Sequence, residues 1–302
     1  MRLVTNPGTN VSPRELAEYE VEILPQHIVV DEEHHDTRAG VSFETIDGWI
    51  AGARVHPYVL GTSAASAAGL LSKLGSQDPE LLLIMSSRKI IQSFDACTTA
   101  SNTLENHPKW GHLKIRVVDT ALTDIATGMA TSYAGMAIAA GFGLEDVARL
   151  VEEFCAATVM GFVVQDMTNL VKGGRASFLK AWAAKFLKVR PIIAFIDGTI
   201  EPVGRFKTSS DPTDALRDWV LTAREGAVGD RVWLGVSHGN VAAQAEALAD
   251  KLSETLHVRR RTVLPLTPSI YLHGGPGCIV VAATDLDRLS WVPATERAGT
   301  GR

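Results

Sequence analysis

Short, uninterrupted apolar runs alternate with longer stretches of helical character through the first half of the chain. Glu80-Leu-Leu-Leu-Ile-Met85 and Leu113-Lys-Ile-Arg-Val-Val118 have the length and composition of strands. Their alternation with amphipathic stretches predicts parallel β-α units. Beyond Val118, the segment from Thr123 to Ala140 is rich in Ala, Met and Ile, Gly141-Phe-Gly143 interrupts it, and Leu144 to Ala157 resumes with helix-forming residues. Two successive helices are expected there.

The texture changes from Met160. Gly161 to Val164 and Val189 to Phe195 read as strands, and Ile196-Asp-Gly-Thr199 places Asp-Gly between apolar runs, the mark of a β-hairpin. Ser210-Asp-Pro opens a helix near Thr213, Arg231 to Val236 reads as a strand, Val241 to Leu256 as a helix, and Cys278 to Ala283 as the last strand. The final residues, Ala298 to Arg302, read as a frayed tail. The predicted fold is α/β with two domains. Residues 1–160 form a three-layer unit with a mainly parallel sheet, and residues 161–302 an α/β unit with a mixed or antiparallel sheet.

A chain of 302 residues, 46% hydrophobic and 21% charged, is long enough for two cores. Its net charge of -5 offers no general attraction to phosphate backbones or anionic lipid, and its densest basic run, Arg259 to Arg261, is short. Nucleic acid is not expected as a partner. Cys97, Cys155 and Cys278 are odd in number and lack metal-site or disulfide spacing, which fits a reducing cytoplasm. No signal core follows Met1, and no stretch has the length of a membrane span. His34-His35 beside Asp36 invites a metal reading, but adjacent residues in a polar stretch rarely converge on one ion, so a solvated loop is expected and no metal or other cofactor.

Four local patterns occur in order along the chain. Gly61-Thr62-Ser63-Ala64-Ala65-Ser66 is similar to the Thr-Ser-Gln-Pro-Ser signature of the DegV family of fatty-acid-binding proteins. Met167-Thr-Asn-Leu170 with Lys172-Gly173-Gly174-Arg175 resembles that family's turn ending in Gly-Gly-Arg, and Lys188-Val-Arg-Pro-Ile192 with Asp197-Gly198 resembles the strand and turn that follow. His273-Gly-Gly-Pro-Gly277 resembles its His-x-Gly-Pro-Gly.

The resemblance implies a long-chain acyl carboxylate held in a slot between the domains, facing Thr62 and His273, with Arg175 organising the hydrogen bonds behind them. Ser63, Ser86 and Ser87 are further ligand-binding candidates, and Gly275 and Gly277 supply turns that let backbone approach the head group. Such a site is chemically reasonable, because a carboxylate drawn out of water needs several converging donors. The resemblance also implies presentation of the bound acid to a fatty acid kinase, with Arg205 as the docking candidate, and a carrier that is not itself an enzyme. Two departures stand out: the family's second head-group serine falls on Ile90, and its Thr-Asp-Ser at the end of the first strand is Thr5-Asn6-Pro7.

Each residue also has a plainer reading. Thr62 and Ser63 suit the cap of a helix starting near Ala64, His273 suits an ordinary turn, and Arg175 a surface charge. An enzymatic alternative rests on Gly235-Val-Ser-His-Gly239, which matches a nucleophile elbow between a strand and a helix. Ser237 would then be the nucleophile of a serine hydrolase, with His257 or His273 as base and Asp250 as its orienting acid. Against it, His273-Gly-Gly follows the elbow, whereas oxyanion glycines should precede it.

Overall fold

The parallel sheet predicted for the first half forms from β1 (Arg2–Thr5), β2 (Glu22–Ile23), β6 (Glu80–Met85) and β7 (Lys114–Asp119), in the order β2-β1-β6-β7. The structure is a computed structural model that describes residues 1–174, 188–224, 229 and 231–297. The unbroken apolar run of β6 has its reason in the layers on either side. Leu81, Leu83 and Met85 pack with the helices Ala64–Gly75 and Ser93–Glu105, whereas Leu82 and Ile84 join the cluster around the helices Asp124–Ala139 and Leu144–Ala156. A strand covered on both faces has no polar side to alternate with.

The second domain is built on a six-stranded mixed sheet. Its strands are β8 (Thr158–Val163), β9 (Val189–Ile196), β10 (Thr199–Lys207), β11 (Arg231–His238), β12 (His257–Pro265) and β13 (Ile279–Asp285), ordered β10-β9-β8-β13-β11-β12. Neighbours are antiparallel except β11 and β12. The predicted hairpin joins β9 to β10, with Asp197 at φ 48° and Gly198 at φ 78°, the paired left-handed residues that such a two-residue turn requires.

Between the two sheets runs the helix Asp124–Ala139. Ile125, Met129 and Tyr133 on it belong to one cluster with Ile84 of β6 and with Trp233, Val280 and Ala282 of the second sheet. A helix enclosed in this way needs an apolar surface all round, which is why it carries no charged residue after Asp124.

The stretch around His34 and His35 departs from expectation. Glu33–Asp36 is a strand, β4, paired with β3 (His27–Val30), which in turn pairs with β5 (Tyr58–Leu60). The turn before β4 uses Asp31 at φ 45° and Glu32 at φ 78°, an arrangement that Gly or Asn would normally announce. His35 stacks on Trp49 with ring centroids 4.3 Å apart, and no metal-ligand cluster occurs among the described residues.

Arg175 lies outside the described residues, as does the tail from Ala298 to Arg302. Among the described residues no helix is long and apolar enough to cross a membrane.

Candidate functional site

In the first sheet the chain leaves β1 in opposite directions, toward β2 on one side and β6 on the other. The carboxyl ends of β1 and β6 therefore flank a crevice, the place where parallel α/β sheets usually bind ligands. Asn6 and Ser86 sit immediately beyond these ends. The Ser86 N–H donates to Asn6 Oδ1 at 2.8 Å, and Asn6 Nδ2 donates to Ser86 Oγ at 3.2 Å.

A narrow cavity of about 90 Å³ opens beside this pair. The first domain contributes Asn6, Gly8, Gln26, Val59, Ile90, Ile91, Thr123 and Asp124 to its walls. The facing walls come from Met160, Phe162, Leu170, Phe195, Ile200 and Val280, and from Ser269, Ile270, His273, Gly274 and Cys278. The lining is mostly apolar, with polar groups gathered where the β1 end, the start of the central helix and the helix Pro268–Gly274 meet.

Asp124 dominates that polar end. It is fully buried, its backbone is left-handed (φ 46°), and its N–H donates to the Gly8 carbonyl at 3.0 Å. Ser237 Oγ, from the second sheet, donates a short hydrogen bond to Asp124 Oδ2 on the central helix, whereas the buried Oδ1 has no hydrogen-bonding partner. Burial pushes the carboxyl up to about 6, against the Ser237 hydroxyl, the Ile125 N–H and the Asn10 amide, which favour the charged form. Gln26 Oε1 and Ser269 Oγ are likewise buried without a hydrogen-bonding partner.

The residues singled out in the sequence are distributed unevenly around this cavity. His273 lines it, as the next-to-last residue of the helix Pro268–Gly274 and not as part of a turn; it packs against Gly173, where a Cβ would collide with the imidazole. Ile90 also lines the wall. The Thr62 hydroxyl donates a short hydrogen bond to the Pro25 carbonyl, and Ser63 caps the helix Ala64–Gly75 by accepting from the Ser66 N–H at 3.1 Å. Ser86 accepts from Asn6 and from Thr123 Oγ1, at 3.3 Å in the latter case. Ser87 Oγ donates to the Gly198 carbonyl at 2.7 Å, tying the end of β6 to the β9–β10 turn.

Gly275 (φ 68°) and Gly277 (φ 77°) reverse the chain between the helix Pro268–Gly274 and β13. Arg205 is exposed on β10. Ser237 belongs to β11, which extends to His238, so it lies within a strand paired on both sides and not on a strand-to-helix turn.

Asn6, which departs from the family pattern, is a wall of the cavity, and Gln26, Asp124 and Ser269 belong to no motif in the sequence. Asp124 left one trace in the sequence: a lone carboxylate opening a helix that is otherwise uncharged. Acids are so ordinary in a first helical turn that the trace is easily passed over.

Comparison with known proteins agrees with this architecture. The sequence model of the family described as "Uncharacterised protein, DegV family" matches residues 1–285. A DegV domain-containing protein from Mycobacterium tuberculosis is 32% identical over 169 residues, which are 55% of this chain and 59% of that protein. The match thus spans less than two thirds of the mycobacterial relative. Another, from Halalkalibacterium halodurans, is 24% identical over 92% of this chain and 95% of its own. Among solved structures, a fatty-acid-binding DegV family protein from Thermus thermophilus superposes with a TM-score of 0.84 at 20% identity, covering 94% of this chain and 99% of its own. A stearic-acid-binding protein from Eubacterium ventriosum gives 0.85 at 17% identity, covering 96% and 100%. At these identities the superpositions establish the fold.

Proposed function

The chain belongs to the DegV family, and from that membership we propose that it is a fatty-acid carrier whose acyl ligand lies in the cavity between residues 1–160 and 161–302. The observation that carries this reading is the cavity itself: an apolar slot walled by both domains, with its polar groups collected at one end. His273 is the head-group ligand nearest to hand, with Thr62, Ser63, Ser86 and Ser87 shaping the surroundings, Gly275 and Gly277 turning the chain beside it, and Arg175 completing the set. Enclosing a sixteen-carbon chain removes about fifteen CH₂ and CH₃ groups from water at ~0.8 kcal/mol each, roughly 12 kcal/mol gross. Association and ordering of the tail offset much of that, leaving affinity on the order of micromolar or tighter.

The protein acts in the cytoplasm as a carrier and not as a catalyst, and it presents its bound acid to a separate fatty acid kinase through a surface that includes Arg205. Support for the non-catalytic reading comes from Ser237, whose fully buried hydroxyl is engaged by a carboxylate instead of a histidine. The test is mass spectrometry of organic extracts from gently purified protein, with calorimetric titration of palmitate and oleate into delipidated protein. One acyl carboxylate per chain is expected. No acyl carboxylate in the extract, together with no binding of either acid, would overturn the reading.

A further inference from the structure

The carrier reading leaves an electrostatic problem at the polar end of the cavity. Asp124 lines the cavity with no exposure to solvent, and its Oδ1 has no hydrogen-bonding partner. Gly8 fixes it in place: the Gly8 carbonyl accepts from the Asp124 N–H at 3.0 Å, and a Cβ at Gly8 would lie 3.8 Å from Ser269 Oγ. Ser269 and His273 are four residues apart on one helix, hence on the same face, so the head-group candidate and the buried acid share one end of the slot.

The groups facing Asp124 are the Ser237 hydroxyl from β11, the Asn10 amide and Gly8 from the segment after β1, Thr123 beside it, and Ser269, His273 and Cys278 across the cavity. Among the described lining residues there is no lysine or arginine, and the Cys278 thiol is pushed far up by burial and by Asp124 itself, so it stays neutral. Two carboxylates brought together here would repel in a medium of low dielectric; Arg175, which the carrier reading sets behind the head group, offsets one of the two charges at most, and one proton between the carboxyls relieves the rest.

We propose, resting on the carrier reading, that Asp124 is a proton-linked ligand of the acyl head group: the acid is bound together with one proton, shared between its own carboxyl and that of Asp124. Ser237 holds Oδ2, so the shared proton lies on Oδ1, the oxygen without a hydrogen-bonding partner. Burial already raises the affinity of this carboxyl for a proton. The consequence is a carrier that grips its ligand more tightly as pH falls and loosens it as pH rises.

The experiment is calorimetric titration of decanoate into the delipidated protein from pH 6 to 8.5, in buffers of differing ionisation heat. Uptake of close to one proton per decanoate is expected above pH ~7, with affinity falling about tenfold per pH unit. Asp124→Asn should bind with no proton uptake and a nearly flat pH profile. Asn tolerates the left-handed backbone, and its carbonyl can still accept from Ser237 while the amide N–H₂ faces the cavity.

Ser237→Ala removes a bond that favours the carboxylate, so it should move the break in the profile to higher pH, a readout independent of how well the Asn variant folds. Decanoate binding without proton uptake would overturn the proposal and leave the carrier reading standing. An Asp124→Asn variant that keeps the wild-type slope would assign the proton to His273 and overturn it as well. If neither decanoate nor palmitate binds at any pH, both readings fall.

Discussion

Asp124 joins complete burial, a φ of 46° and a carboxyl oxygen without a partner, three features that each raise the energy of the folded state. Its proton affinity makes that burden depend on pH. The ordinary value of 3.8 rises to about 6 in the folded protein, so the native state binds the proton more strongly than the unfolded chain does. The associated stability is therefore fully present below pH ~4 and lost as pH rises through about 6, a change of roughly 3 kcal/mol at ~1.4 kcal/mol per unit. Asp124→Asn should accordingly be more stable than the wild type by about 1–3 kcal/mol at pH 8, with the gap closing toward pH 4. Urea denaturation of the delipidated proteins at both pH values measures it, and a variant less stable at pH 8 would show that the carboxylate is better accommodated than its burial suggests. Thr62 and Ser87 carry no such burden: their hydroxyls donate to the carbonyls of Pro25 and Gly198.

The central helix Asp124–Ala139 can lie between two sheets only because its neighbours approach its backbone closely. Gly128 meets the chain at Asn10, where a Cβ would overlap the Asn10 carbonyl oxygen, and Gly135 meets the ring of Tyr19. Helix propensity alone favours Ala over Gly by up to ~1 kcal/mol, whereas forcing atoms into a packed contact costs about 1–3 kcal/mol. A backbone oxygen cannot swing aside as a side chain can, so the clash should win. Gly128→Ala is expected to lose about 1–2 kcal/mol of stability, while Gly69→Ala, on the exposed face of the helix Ala64–Gly75 with nothing near its missing Cβ, should gain about 0.5–1 kcal/mol. Chemical denaturation of the two variants separates the effects, and a stabilised Gly128→Ala would contradict the close approach. Within the basic run Arg259 to Arg261, Arg260 lies over Trp233 and bonds Glu15 at 2.7 Å, and Arg261 bonds Asp250 at 2.5 Å, so both of these charges face carboxylates.

At the scale of the whole molecule the cavity joins both domains, with Asn6 and Asp124 on one side and Phe162, Phe195 and Val280 on the other, so an acyl chain in it would touch both at once. Binding should then stabilise the molecule as a unit: at a free ligand concentration of 100 Kd the expected gain is about 2.7 kcal/mol, read as a single thermal transition that moves upward with added palmitate. A shift of only part of the unfolding curve would place the ligand within one domain. Much of this architecture was legible in the sequence, because it rests on local period and composition. Apolar runs such as Leu81 to Met85, the helical stretch left uncharged after Asp124 and the Asp197-Gly198 turn carry their conformations in adjacent residues. The motifs ending in Arg175 and Gly277 likewise identified the family over most of the chain. Strand β4 escaped because its residues are polar and its turn uses Asp31 and Glu32 in place of glycine. The helical setting of His273 was obscured by the glycines after it, although Pro268 behind Thr267 is a fair start signal. The bond between Ser237 and Asp124 spans 113 residues, and the pairing of Asn6 with Ser86 spans 80. Hydrophobic period fixes which face of an element is buried, but not which side chain from a distant element will meet it there; that was decided only when the two sheets closed on the central helix.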